Sequence, residues 1–463
     1  MHEVGMTPAK PIESRRRPAS GPSSRSLARA GASAGIAFAL ILLSGSVAAD
    51  SNVVGDALPA AGRTVEVDPG NYREAVRGLR PGDRLELAPG VYRGGLDLRG
   101  IQGTEKQPIV IAGPRGEAGS ATFVGQDGRN TVRFEDSAHI ELRRLELDGR
   151  SANANGIVAE AEGTFTHNIT LANLRIRNYD ISQGSTAVTT RSAAWDWTIR
   201  DNEIRGVGTG LYLGQPDGEA PFIGGVIEGN HIAETLGYNA QIKHQNERAM
   251  VEGMPTNRRD TVIRDNTFSK AEGGNSGDGA RPNLLVGHWP ERGPGANDRY
   301  LIYGNLFYEN PHERLFQGEG HVALYNNAFV NRDGDGVVLG PHNDVPKEIR
   351  ILRNTVVARG FGIRLRGADR GYQQVVSGNA VFADPPLDLE ATEDDDNFTA
   401  GFAEAPDRLR APDAGLDDLD LRPQGDALRK DRPLALPEDP PGLGHDRNGQ
   451  LRTEPFWGAY QPE

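Results

Sequence analysis

The chain has 463 residues, 59 of them glycine and none cysteine, with a formal net charge of −13. The length far exceeds what one small core needs, and the acidic balance argues against a nucleic-acid backbone as partner. The missing cysteine excludes disulfides, a thiolate nucleophile, a Cys-held metal and lipid attachment through an N-terminal cysteine.

Residues 1–29 are polar and basic, with Arg15, Arg16, Arg17, Arg25 and Arg29. An apolar run over 34–43 follows, and Val47-Ala48-Ala49 stands just before Asp50. That order predicts a cleaved signal peptide over 1–49, with its long basic segment pointing to a start at Met6 or later. The apolar run is shorter than the roughly 20 residues of a membrane span. The mature chain is therefore expected to be secreted or periplasmic, with no stable membrane span.

Residues 50–124 read as an N-terminal cap and first coils. Residues 63–67 alternate as a strand, 71–76 suit a short helix, Pro81-Gly82 opens a turn, and 84–87 and 107–113 are strands.

Across 125–385 a repeat takes over. An asparagine recurs before alternating apolar residues at Asn173, Asn202, Asn230, Asn266, Asn305, Asn327, Asn354 and Asn379, at intervals of 29, 28, 36, 39, 22, 27 and 25 residues. Apolar spacing of two and a variable period in the twenties and thirties predict an all-β solenoid, a right-handed parallel β-helix. Each asparagine is expected at a corner, bonding to neighbouring coils and tolerating left-handed backbone.

A second strand follows each asparagine strand. Aligning Leu211, Ala240, Leu284, Leu315, Val337 and Ile363 as first residues makes the first and third positions inward. The fourth is then outward: Gly214, Lys243, Gly287, Gly318, Gly340 and Arg366. Lys243 stands on a glycine floor within Tyr238-Asn-Ala-Gln-Ile-Lys-His-Gln245. Insertions over about 246–259 and 271–298 are expected to build over the same face. Residues 386–463 read as an irregular, acidic, Pro-rich tail whose closing aromatics pack on the last coil as a cap.

Residues 81–92 (Pro-Gly-Asp-Arg-Leu-Glu-Leu-Ala-Pro-Gly-Val-Tyr) and 103–111 (Gly-Thr-Glu-Lys-Gln-Pro-Ile-Val-Ile) resemble those of pectate-lyase-like β-helix proteins. Within them, the N-terminal region is similar to polysaccharide lyase family 6, the alginate lyase and chondroitinase B group. The resemblance implies acidic calcium ligands shortly before a catalytic lysine, with an arginine one or two coils later. Lys243 falls at the lysine. Residues 237–242 hold no carboxylate, and Gln317 stands where the arginine is expected. No cofactor is assigned; calcium stays open although the family's acidic ligands are not matched, and no metal ligand is named.

Elimination at a uronate requires a neutralised carboxylate, removal of the C5 proton and protonation of the leaving oxygen. The catalytic candidates are Lys243, as a base of lowered pKa, and His288. The substrate-binding candidates are Tyr238, Gln245, Arg248, Arg281, Gln317, Glu319 and His342; Asn283 is a further amide, and Trp195 and Trp197 are aromatics of stacking or packing type. The expected function is action on an acidic polysaccharide by β-elimination or C5 epimerisation, by a monomer. A non-catalytic glycan-binding or surface-structural protein is the alternative, and convergence of Lys243, His288 and Arg281 in one cleft is the discriminating feature.

Overall fold

The computed structural model describes residues 62–462 except 117–118, 161–162, 250, 391–392, 395 and 435–439. The signal peptide expected over 1–49 lies outside the described residues. Among those described, no helix is long and apolar enough to cross a membrane.

The described chain is a right-handed parallel β-helix. Each coil contributes one short strand to each of three long sheets. The first runs from Thr64–Val67 to Glu393–Asp394, the second from Gly90–Arg93 to Phe398–Ala400, and the third from Leu96–Arg99 to Leu387–Leu389. Backbone groups pair between coils, so every strand interior to a sheet is satisfied on both sides. The coils continue to Phe398–Ala400, one beyond the expected boundary at 385.

The period-two pattern fills the core. Leu211 and Leu213 pair with Ala240 and Ile242, and these with Leu284 and Val286, all essentially without solvent exposure. Phe268, Phe307 and Phe329 stack through successive coils, with ring centroids 5.1 and 4.6 Å apart. Each such side chain contributes about 1.5–3 kcal/mol on burial. At the N-terminal end, the helix Tyr72–Arg77 sets Tyr72 edge-on to Tyr92 and Phe123.

The asparagines form a ladder, displaced from the expected one. Asn202 donates its backbone N–H and its side-chain amide to Asn230 Oδ1 (3.1 and 2.9 Å), and the pattern repeats through Asn266, Asn305, Asn327, Asn354, Asn379 and Asn397. Asn173 is not a rung: it is the left-handed corner residue (φ 54°), and Leu174 occupies the rung position. The left-handed residue precedes each asparagine, as Asp201, Asp265 and Asn326 do. The two tasks expected of one residue are split between neighbours.

The tail lies along the flank of the solenoid rather than over its end. Leu409, Leu421, Phe456 and Tyr460 pack on Tyr308, Val330, Val357 and Phe382. Tyr325 Oη donates to the Pro441 carbonyl (2.7 Å), and Ala459 N–H to Thr355 Oγ1 (2.9 Å). The cause is readable in the second sheet, where Ala328–Asn331, Thr355–Ala358 and Ala380–Ala383 bury both faces. The outward apolar side chains need cover, and the tail supplies it.

Candidate functional site

The site is built on the outward face of the third sheet. Thr190 pairs with Leu213, and Leu213 with Ile242, so the next residues, Arg191, Gly214 and Lys243, stand in one outward column. Thr189, Tyr212 and Gln241 form the parallel column beside it. Gly214 has φ 91°, and a Cβ there would lie 3.2 Å from Lys243 Cβ. Glycine thus keeps the gap between the two cations open.

These residues line a cleft of about 760 Å³. Tyr238 and Arg281 add to its wall, and His342 also lines it. The Arg281 guanidinium lies 6.0 Å from the Tyr238 ring centre and donates Nη1 to the carbonyls of Asp278 (2.9 Å) and Ala280 (2.6 Å). Lys270, buried below, donates Nζ to the Arg281 carbonyl (2.9 Å), and burial pulls its pKa down to about 8. Among the described lining residues Asp217 is the one carboxylate, against Arg191, Lys243 and Arg281.

Lys243 is half-buried. Burial lowers its pKa, with Glu319 acting in the opposite sense. Tyr238 and Tyr212 are raised by burial, which keeps both phenols protonated. The cleft therefore combines an amine whose pKa burial lowers, two guanidinium groups and two phenol donors.

Tyr238, Lys243, Arg281 and His342 are brought together as expected; the other candidates are not. His288 is absent from the lining. Its ring stacks on His244 (centroids 5.1 Å apart, 24°) and donates Nδ1 to the Trp289 carbonyl (2.9 Å). Burial lowers the His244 pKa, helped by His288 and then Lys243. The convergence of Lys243 with Arg281 holds, and His288 stays outside it.

Gln245 and Arg248 are internal, not substrate-facing. Gln245 is fully buried, donates Nε2 to the Phe222 carbonyl (2.9 Å) and accepts from Arg248 (3.2 and 2.8 Å). Arg248 is ion-paired with Asp298 at 2.7 Å, with side chains 1% and 0% exposed. Asp298 also accepts the Arg259 N–H (2.8 Å), so this pair ties both insertions together. The 246–259 insertion packs Met254 with Trp195 and Ile223 on the first sheet, while 271–298 brings Arg281 to the cleft. Trp195 stacks on His167 (4.7 Å, 3°), Trp197 lies in the core, and the Asn283 amide is spent on the Phe268 and Glu309 carbonyls.

Glu319 corrects the register. Leu284 pairs with Phe316 and Val286 with Gly318, so Gly318 points inward and Glu319 takes the outward fourth position. The Phe316 ring covers Gly318, where a Cβ would lie 3.0 Å from its Cζ. Glu319 is 1% exposed and accepts backbone N–H groups from His288 (3.3 Å), His342 (3.2 Å), Asn343 (2.9 Å) and Asp344 (3.0 Å). It anchors a loop instead of meeting substrate. Gln317 is half-buried beside Leu285 and Val338 and does not line the cleft.

The donor set does not fit the calcium site the resemblance implies. Asp217 is the one carboxylate among the described lining residues, and the Glu319 oxygens are occupied by N–H donors. Among the described residues no three His, Asp or Glu side chains group to hold a metal.

Arg191, Tyr212, Asp217 and Gln241 are among the cleft residues that sequence reasoning missed. Val188-Thr-Thr-Arg191 carries the same alternation one coil before Leu211, so extending the alignment finds Arg191.

Neither a protein-family model nor a curated protein matches the sequence. Solved structures do. A family PL6 alginate lyase matches at 14% identity and TM-score 0.46, covering 73% of this chain and 51% of that one, so the chain spans about half that lyase. The mannuronan C-5 epimerase A-module of Azotobacter vinelandii matches at 16% identity and TM-score 0.48, covering 71% and 90%. Pectate lyase Pel9A matches at 11% identity and TM-score 0.48, covering 86% and 90%. All three are parallel β-helix proteins.

Proposed function

We propose that this chain is an exported enzyme that binds a uronate of an acidic polysaccharide in the third-sheet cleft and removes its C5 proton with Lys243. One observation carries the reading: a half-buried lysine of lowered pKa lies in a cleft with Arg191, Arg281 and two phenols.

Arg191 and Arg281 bind and neutralise the carboxylate, which stabilises negative charge as the C5–H bond breaks. Neutral Lys243 accepts the proton. In elimination, the released electron pair forms the C4–C5 double bond, the C4–O bond breaks, and Tyr238 or Tyr212 gives its proton to the departing oxygen. In epimerisation, C5 regains a proton on the opposite face and no bond to oxygen breaks. No step runs through a metal ion.

The test is incubation of the chain with alginate, pectate and chondroitin, following the ultraviolet absorbance of the unsaturated uronate and the C5 configuration by NMR. A new double bond supports elimination, and an inverted C5 without one supports epimerisation. Neither change on any of the polymers overturns the enzymatic reading and leaves a glycan-binding cleft.

A further inference from the structure

A second concavity, of about 400 Å³, lies at the N-terminal end between the helix Tyr72–Arg77 and the strand Leu96–Arg99. Four arginines line it, Arg73, Arg77, Arg99 and Arg129, against a single aspartate, Asp97. In a chain of net charge −13 this is a concentrated local reversal of sign.

The arginines divide into two kinds. Arg73 is committed to the Arg93 carbonyl and Tyr72 Oη, and Arg99 grips Asp97 through Nε and Nη2 (2.9 and 2.7 Å). Arg77 and Arg129 are exposed and form no ion pair with a described carboxylate. Tyr72, Val76 and Leu96 contribute apolar surface to the lining. The volume falls within the roughly 300–1,000 Å³ of ligand pockets. A charged rim over an apolar floor suits a sugar ring bearing a carboxylate better than a bare inorganic anion.

We propose that this pocket is a second binding site for acidic saccharide units, with Arg77 and Arg129 holding the carboxylate. The choice of ligand class rests on the proposed function of the cleft. The site is distinct from that cleft. Three strand steps on the third sheet, roughly 14 Å, separate Leu96–Arg99 from Thr186–Thr190. Between them stand Glu135 and Glu160, both ion-paired with Arg133 (2.5 and 3.0 Å). These carboxylates repel a polyanion lying flat across the gap. A long chain engages both sites by looping over them, and gains avidity that a short oligosaccharide lacks.

The experiment is calorimetric titration of the full chain carrying Lys243→Ala, which prevents turnover, with an oligogalacturonate too short to reach both sites. Two classes of site are expected. Adding Arg77→Ala with Arg129→Ala weakens one class about tenfold, the combined effect of two exposed ion pairs. Adding Arg191→Ala with Arg281→Ala weakens the other and leaves the first. An unchanged melting temperature in the Arg77/Arg129 variant confirms an intact fold. One class of site insensitive to Arg77 and Arg129, or equal binding of a neutral cello-oligosaccharide at the pocket, overturns the proposal. Turnover by the unmutated chain is measured separately, so failure of the cleft as a catalyst is distinguishable from failure of the pocket as a binding site.

Discussion

Arg191 and Lys243 stand in one outward column of the third sheet, two strands apart, with Gly214 between them. The separation is roughly 9.5 Å along the sheet. Each residue directly follows a strand end, and the parallel pairing continues to it: the Arg191 and Lys243 N–H groups donate to the Ala159 and Leu213 carbonyls (2.7 and 2.8 Å). The arrangement gives carboxylate binding and proton removal to different residues on one rigid surface.

Removing the guanidinium from that column should weaken binding and slow the chemistry together. Arg191→Ala is expected to raise KM and to lower kcat, since the charge it neutralises grows as the C5–H bond breaks, with kcat/KM down about tenfold or more. Steady-state kinetics on the responsive polymer checks both constants.

The gap itself is testable. Gly214→Ala places a Cβ at φ 91° and 3.2 Å from Lys243 Cβ. The strained backbone costs about 1 kcal/mol or more, and Lys243 is displaced. A lower melting temperature together with lower kcat is expected; full activity would mean that the position of Lys243 is unimportant.

The Arg248–Asp298 pair should behave as structure. Arg248→Ala leaves Asp298 buried and unpaired, at a cost of about 3–5 kcal/mol. Denaturant unfolding should register that loss, while KM of the remaining folded protein stays near its original value.

Histidines give the fold an acid limit. Burial lowers the pKa values of His139, His231, His244 and His321. The unfolded state then binds more protons than the folded one below the ordinary imidazole value of about 6.5. Stability is full above that value and falls as pH drops towards the folded-state values. Melting temperature against pH should show this slope, and His321→Gln should flatten it.

The asparagine ladder should be costly to break. Asn266→Ala removes the acceptor of both Asn230 donors and leaves the Ile227 carbonyl without that amide. About 3 kcal/mol or more is expected, read as a lower unfolding midpoint.

The fold was legible because alternation of period two and a recurring asparagine are local signals. The cleft positions of Lys243 and Tyr238 were legible for the same reason: each sits beside a strand whose register follows from its neighbours, whereas Arg281 reaches the cleft from the 271–298 insertion. The register at 315–319 was not. Leu315 and Phe316 are both fully buried, so the apolar pattern supports two alignments one residue apart. A slip of one exchanges the faces, and it moved Glu319 into the outward column where Gly318 had been expected. Arg248 misled for another reason. Its partner Asp298 lies fifty residues away, and composition does not show an insertion folding its charge inward. The tail was misplaced because its cover was sought at the end of the stack, while the apolar outward residues of the second sheet lie along its flank.

Proton abstraction by Lys243 is the central claim, and exchange of the substrate C5 proton with solvent tests it most directly. The chain and its Lys243→Ala variant would be incubated with polyuronate in deuterated water, and label at C5 followed by NMR alongside unsaturated product. The account predicts solvent-derived label or double-bond formation with the unmutated chain, reduced by about 10²–10⁴-fold in the variant. Equal rates in the two proteins would contradict it.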